Sequence, residues 1–444
     1  MCRQRGARRL MTESTMDHPL RAALADELHA RPFLRINGSV SLAHIAVYAD
    51  GDTAIHENLL TSLCRLTGLA EPVAGAKHYS SKWSAGRQLK WERHTEFSTF
   101  TFVASRQDTD YFSDLATRHV PSGWFDALEG KRFVAVRIEL ISGKAAGPAR
   151  ERVRDWIDGS AMVGSTVLGC AQVFCDWTIK EDGSSRFMVV DSGLREVQCG
   201  RLLQRLYEIE TYRMMALLGL PVARDLSNTL DELQLSFVPL IHSMDMSETG
   251  HHDAELLVRL THLAVRVEAL AGTAVRFSAS RAYEGLVQAR IAELREEPIE
   301  GIPTIAEFME RRFGPAMQTC KAVFARQEHF AERVARVVAL LRTRVNVAQE
   351  ADSTRLLESM NRTAGSQLRL QHAVEGLSVA AISYYVLSLS SAALRSLHAA
   401  ALLLDPELVE GMLIVPVVAS VLLIMRRTRR AERIPSDSKQ AVPH

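Results

Sequence analysis

An α+β fold is predicted, with an N-terminal mixed, largely antiparallel sheet and helices, then a long-helix bundle and coiled coil ending in a two-helix transmembrane hairpin. Three observations predict it. Short period-two stretches separated by turn residues fill roughly the first 195 of 444 residues. Helical periodicity runs almost unbroken after Gly200, and two uncharged apolar runs lie near the C-terminus.

Residues 1–16 read as a disordered extension. Residues 1–9 are positive, but 11–17 are polar where a signal peptide would need roughly 7 to 15 apolar residues, so no secretion signal is expected. Met1, Met11 and Met16 are alternative starts.

The cytosolic α+β domain, 17–195, is expected to hold a strand at 40–49, an amphipathic helix at 54–69 and a long strand at 89–104. In that long strand Phe97, Phe100 and Phe102 interleave with Thr95, Thr99 and Thr101. A further strand spans 133–141 and a helix 149–158. Strands 171–179 and 186–190 flank Glu181-Asp182-Gly183, a hairpin signal because glycine tolerates the positive φ of such turns.

A helical and coiled-coil domain is expected over 196–372. Its first helix, 201–220, is stopped by Pro221. The next, 253–270, is capped by Asp253, whose carboxylate can accept from the orphan amides of the first turn. Helix 281–296 is closed by Pro298, Gly301 and Pro303. Beyond Pro315 nothing breaks the pattern, so a single helix over 316–394 would be roughly 120 Å long. Ala331, Val334, Val338, Leu341, Val345 and Ala348 follow 3, 4, 3, 4, 3 spacing, a coiled-coil seam and the expected surface for a homo-oligomer.

The transmembrane hairpin occupies 373–427. Its first span, 376–394, has 19 uncharged residues, roughly 28 Å of helix against a hydrocarbon thickness of ~30 Å. The second, 408–425, reaches span length only with Glu410 at the interface; otherwise it reads as a buried helix of a soluble core. Arg426, Arg427, Arg429, Arg430 and Arg433 follow it, and the tail 428–444 is basic. Positive charge is retained on the cytoplasmic side, so both termini of this two-pass inner-membrane protein are expected there, with the bilayer as its partner. Ala381, Tyr384, Ser388 and Ser391 form a stripe of small and hydroxylated residues suited to helix contact. Pro416 is expected to kink the second span.

A net charge of +1 gives no nucleic-acid footprint, and six cysteines without CxxC spacing fit free thiols in a reducing compartment. In the long strand Glu92, His94 and Glu96 would share one face, a row able to bind a divalent cation or move a proton. The competing reading is a solvated face with cross-strand ion pairs. His29 and Arg31 end a short helix, where its dipole favours cations. Arg201, Arg205, Glu208 and Arg213 have the spacing of paired charges on a helix surface. His251-His252-Asp253 cannot converge on one ion within a helix and reads as a helix start. Glycines Gly159 and Gly164 have phosphate-loop spacing, but Ser165 stands where lysine must reach the phosphates. Neither a dinucleotide glycine fingerprint nor HExxH nor GxSxG occurs, and no metal or cofactor is assigned.

Four separated segments carry a resemblance. They are Asp17-His18-Pro19-Leu20-Arg21 with Glu27-Leu28-His29-Ala30-Arg31-Pro32-Phe33, Leu89-Lys90-Trp91-Glu92-Arg93-His94-Thr95-Glu96-Phe97, Gln204-Arg205-Leu206-Tyr207-Glu208-Ile209-Glu210-Thr211-Tyr212-Arg213, and Val374-Glu375-Gly376-Leu377-Ser378-Val379-Ala380-Ala381-Ile382-Ser383-Tyr384-Tyr385. Over about residues 17–430 the chain resembles the bacterial family of predicted membrane-anchored proteins called domain of unknown function 3422. The resemblance implies a membrane anchor and a cytosolic body, and no activity. It marks His18, His29, Arg31, Arg205, Glu208 and Glu210 as motif residues without a role.

Three functions stand open. The first is a non-enzymatic, oligomeric scaffold or sensor at the cytoplasmic face of the inner membrane. The second is a divalent-cation channel resembling the CorA layout, although Ser390-Ser391-Ala392-Ala393-Leu394-Arg395 stands where that family carries Gly-Met-Asn. The third is a metal-assisted or acid/base enzyme using Glu92, His94 and Glu96.

Overall fold

The computed structural model describes residues 18, 20–21, 24–25, 33–49, 52–83, 86–158, 161–246, 250–398 and 406–432. The extension 1–16, the motif residues His29 and Arg31, the glycine Gly159 and the tail beyond 432 lie outside the described residues.

A nine-stranded sheet dominates the first part of the chain. Its strands are β1 (Val40–Tyr48), β2 (His78–Trp83), β3 (Arg87–Arg93), β4 (Phe97–Ser105), β5 (Arg132–Ile141), β6 (Val163–Val167), β7 (Ala171–Cys175), β8 (Ser185–Asp191) and β9 (Glu297–Pro298). Their order is β2-β3-β4-β1-β5-β8-β7-β6-β9. Only the β5–β8 pairing is parallel, so the sheet is mostly antiparallel as expected.

Both faces of the sheet are covered, because successive strand residues point to opposite sides. In β1, Ala43, Ile45 and Val47 join Leu89, Trp91, Phe100, Phe102 and Trp124 beneath helices α1 (Thr53–Thr67) and α2 (Ser122–Asp126). Helix α1 is well bounded: the Asp52 carboxylate accepts from the Ala54 N–H, and Gly68 at φ 69° closes the other end. Leu42 and Ala46 face the other way, into a core shared with α4 (Glu196–Leu217) and α7 (Thr273–Leu294). Helices α4 and α7, both beyond residue 195, therefore pack into the same core as the sheet. A small helix, α3 (Ala146–Glu151), covers Ile141, Met188 and Val190.

Several sequence expectations need correction. The strand expected over 89–104 is a hairpin, β3 and β4 joined by a tight turn in which the His94 N–H donates to Phe97 O at 2.8 Å. Thr95 and Glu96 form the turn without the glycine or asparagine that marks most such loops, so its sequence signal is missing. Strands β2, β6 and β9 were not expected. Helix 149–158 is the shorter α3 followed by a 3₁₀ turn, Val153–Asp155. Pro221 sits in the first turn of α5 (Gly219–Met246), where a proline's missing N–H is tolerated. Asp253 lies inside the first turn of α6 (Gly250–Glu268) and is not its cap, because the helix begins three residues earlier.

The chain divides into two compact units, 1–246 with 256–338, and 247–255 with 339–444. In the first, α8 (Ile305–Arg312) opens with a capping box in which the Thr304 hydroxyl accepts from the Glu307 N–H. Helix α9 (Gly314–His398) contributes its early turns to this unit. There Phe330 packs edge-on against Phe237 at 5.5 Å, and Arg326 pairs with Asp231 at 2.6 Å.

In the second unit, Arg344 of α9 pairs with the buried Asp253 at 2.9 Å. The seam residues Val334, Leu341 and Val345 are buried in the chain by itself, and Ala331, Val338 and Ala348 are half-buried. The heptad phase is therefore correct, but these positions are covered without any second copy. Helix α10 (Pro406–Glu432) completes the unit. Among the described residues one helical stretch, Ile305–Ala393, is long and apolar enough to cross a membrane by length and composition; the apolar segment Ile414–Ile424 is shorter than a span.

Candidate functional site

Two motif segments that lie far apart in sequence meet on one face of the sheet. Strand β3 aims Leu89 and Trp91 at the α1 side, so Lys90 and Glu92 point to the α4 side. Register extends this polar face across neighbouring strands: Lys90 lies opposite Thr101, which lies opposite His44, and Glu92 lies opposite Thr99. Helix α4 lays Gln204, Tyr207, Glu208 and Thr211 over this surface, residues spaced 3, 1 and 3 along one helical stripe.

The groups interlock. Lys90 Nζ pairs with Glu92 Oε2 at 3.0 Å, with the two side chains only 5% and 7% exposed, and also donates to Gln204 Oε1 at 3.3 Å. Gln204 Nε2 donates to Glu208 Oε1 at 2.7 Å. Glu208 then receives Arg290 of α7, whose other partner, Glu293, also takes Arg205 at 2.8 Å. Arg205 and Glu208 therefore bridge two helices and are not paired along the surface of their own, as the sequence had implied.

His44 is the deepest member. Its Nδ1 lies 2.8 Å from the Thr101 hydroxyl and its Nε2 3.2 Å from the Thr211 hydroxyl, while its ring stacks on Tyr207. Burial, aided by His94 and Lys90, pulls the imidazole down to about 3, so it is neutral at physiological pH. The Tyr207 hydroxyl is pushed well up by burial and by Glu92 and Glu208, and stays protonated. Neither residue was singled out from sequence. A lone histidine at an inward position of the apolar strand Val40–Tyr48 was the available signal.

The proposed acid/base row does not survive the hairpin. Glu92 is buried on Lys90, whereas His94 lies beyond the strand end and stacks on Phe97 with centroids 4.3 Å apart. Glu96 turns toward α7, where Arg276 holds both its oxygens at 3.1 and 3.0 Å and the Tyr283 hydroxyl donates to it at 3.0 Å. Each carboxylate thus has its own cation, and the three groups do not converge. The solvated-face alternative fails as well, because Glu92 is buried under α4. Among the described residues, no group of three or more His, Cys, Asp or Glu is placed to hold a metal ion.

The remaining motif residues are dispersed. His18 accepts from the Leu20 N–H at 3.2 Å in a local turn. Glu210 is held by Arg213 through two contacts of 2.8 Å. Phe33, at the end of the first motif, lies under the Arg201 guanidinium at 4.9 Å. Next to it the chain crosses α4 at Gly200, where a Cβ would stand 1.7 Å from Leu34 O. In the fourth motif Ser383 is buried; of the expected contact stripe Ser391 is buried, while Ala381, Tyr384 and Ser388 are exposed. The stripe is thus covered at Ser391 alone within the described residues.

The second and third motifs both fall inside a region matched by one family model. The model described as "Protein of unknown function (DUF3422)" matches residues 16–432. The chain belongs to this family. No curated protein and no solved structure matches it. Within this DUF3422 chain the second and third segments, with His44, build a buried ionic and hydroxyl layer joining strands β1, β3 and β4 to helices α4 and α7.

Proposed function

We propose that the chain is a membrane-anchored, non-enzymatic scaffold or sensor, held at the cytoplasmic face of the cell inner membrane. The observation that carries this reading is the outer part of α9. Of its apolar window only 11% is buried, and Leu377, Ile382, Tyr384, Tyr385 and Leu389 are exposed there. In water such a surface is costly, at ~25 cal/mol per Å² of apolar area, whereas lipid solvates it. The two-span hairpin belongs to the same proposal: α10 carries the returning apolar segment, and the arginines after residue 425 favour a cytoplasmic C-terminus.

The buried layer supports a structural role for the body. His44, Lys90 and Glu92 are consumed by internal partners, which suits a rigid platform better than catalysis. Self-association is part of the proposal. Leu356, Leu357, Met360 and Leu368 are exposed on α9 beyond the seam and offer a second copy apolar surface.

Alkaline washing of membranes from cells expressing the full chain tests the anchor. The protein should pellet on ultracentrifugation and be released only by detergent; recovery in the supernatant overturns the reading. Reporter fusions at residues 400 and 440 should fall on opposite sides of the membrane.

A channel of the CorA layout remains the second reading, favoured by one feature. Helices α9 and α10 are separated by only seven residues, 399–405, as a tight membrane hairpin requires. Divalent-cation uptake into liposomes by a purified symmetric oligomer would select it over the scaffold.

A further inference from the structure

The N-terminal half of α4 borders a second feature, independent of the membrane reading. A cleft of about 230 Å³ is lined by Leu168, Gln198, Arg201, Arg205, Glu293 and Arg295. Gln198, Arg201 and Arg205 are spaced 3 and 4 apart and so share one helix face. Three guanidinium groups meet one carboxylate here, leaving an excess of two positive charges.

That carboxylate is already committed. Glu293 receives both Arg205 and Arg290. Among the described residues, neither Arg201 nor Arg295 has a carboxylate partner. Arg201 is steadied from below by the Phe33 ring, and Arg205 is oriented through its Nε, which leaves its terminal N–H groups free of Glu293. Gln198 uses its carbonyl to cap the Arg195 N–H, so its amide remains a donor.

Arg295 supplies the second line of argument. It is the C-cap of α7 and adopts the left-handed conformation, φ 50° and ψ 60°. That position normally falls to glycine, because a Cβ is strained there. Of the other described non-glycine residues at positive φ, Phe112, Leu168 and Trp177, the first two have local explanations. Leu168 sits with Gly169 in the three-residue hairpin loop between Val167 and Ala171, and the Phe112 N–H donates to Glu139. No such contact is made by the Arg295 side chain, which lines the cleft.

A cleft of about 370 Å³ is by contrast closer to balance, with Asp114 and Asp182 facing Arg118, Arg132 and Arg137. There Arg137 pairs with Asp182 at 3.1 Å and Arg118 with Asp114 at 3.7 Å.

We propose that the Arg201–Arg205–Arg295 cleft binds a phosphate-type dianion. Planar guanidinium forks match the oxygens of a phosphate, and the two excess charges match its own. Occupancy would also touch the buried layer, since Arg205 is tied through Glu293 and Arg290 to Glu208.

Calorimetric titration of full-length protein in detergent tests this, with inorganic phosphate, dihexanoyl phosphatidic acid, and dihexanoyl phosphatidylcholine as the zwitterionic control with no net charge. Two variants serve: Arg295→Gly, which removes the guanidinium while relieving the backbone, and Arg201→Gln. Saturable one-to-one binding of inorganic phosphate, weakened at least about tenfold in both variants, assigns a free phosphate. Binding confined to phosphatidic acid and weakened in the same way assigns a lipid headgroup. If neither probe binds, or binding is unchanged in both variants, the proposal is overturned.

Discussion

The imidazole of His44 lies face to face with the ring of Tyr207, centroids 4.1 Å apart and planes 15° from parallel. A strand residue and a helix residue 163 positions apart in sequence are thereby locked into the centre of the polar layer, and protonating that imidazole would place an unpaired charge between them.

The acid response follows from this stack. The His44 imidazole titrates near 6.5 in the unfolded chain but is drawn to about 3 in the native one. Between those values the unfolded state binds a proton that the native state refuses, so stability is lost as pH falls below about 6.5, by up to ~1.4 kcal/mol per unit. Urea midpoints of wild type and His44→Gln at pH 7, 6 and 5 should show the shallower dependence in the variant. Equal slopes would remove His44 as the cause.

Glu139 has the opposite sign. Burial pushes its carboxyl up to about 7, although Arg106, the Phe112 N–H and Ser41 all favour the charged form. Between about 4.5 and 7 the native state holds a proton that the unfolded state has released, so this group's contribution declines as pH rises through that window. Glu139→Gln should abolish the decline. It should also destabilise by about 1–3 kcal/mol, because Arg106, buried 2.8 Å from that carboxyl group, is left with Asp108 as its remaining carboxylate partner. Thermal melts across pH 4.5 to 7 read both effects.

The pair Lys90 and Glu92 invites a double-mutant cycle. Lys90→Met alone strands a buried carboxylate and should destabilise by about 3–5 kcal/mol. The double variant Lys90→Met/Glu92→Leu should recover most of that, since two apolar groups need no countercharge. Additive losses would show that the two side chains act separately.

Gly200→Ala should be far more damaging than an ordinary glycine change within a helix. The new methyl group would meet the backbone of Leu34, which has no rotamer to yield. Unfolding free energies should fall by roughly 3 kcal/mol or more, and protection of the Ile36 amide, which bonds Glu196 O, should vanish in hydrogen exchange.

Much of the architecture was legible because burial leaves a periodic trace. Strand β1, helix α1 and strand β5 fall within a few residues of their expected bounds, since each alternates or cycles cleanly. The seam from Ala331 to Ala348 had the correct phase for the same reason. What repetition cannot tell is the partner: the pattern that suits a second copy equally suits helices of one chain. The break after Arg93 escaped because Thr95 and Glu96 carry no turn signal. That single missed reversal created the false row of Glu92, His94 and Glu96. His44 and Lys90 escaped for a different reason. Isolated polar residues in apolar strands look like noise until register sets Thr101 between them.

The two-residue strand β9 has a consequence for assembly. Its Pro298 lies opposite Ser165 at the end of the sheet and has no N–H with which to recruit another chain. That rim is therefore closed to strand addition, and fibril growth or domain swapping through this sheet would have to begin at the opposite rim, along His78–Trp83, where Lys82 stands as a gatekeeping charge.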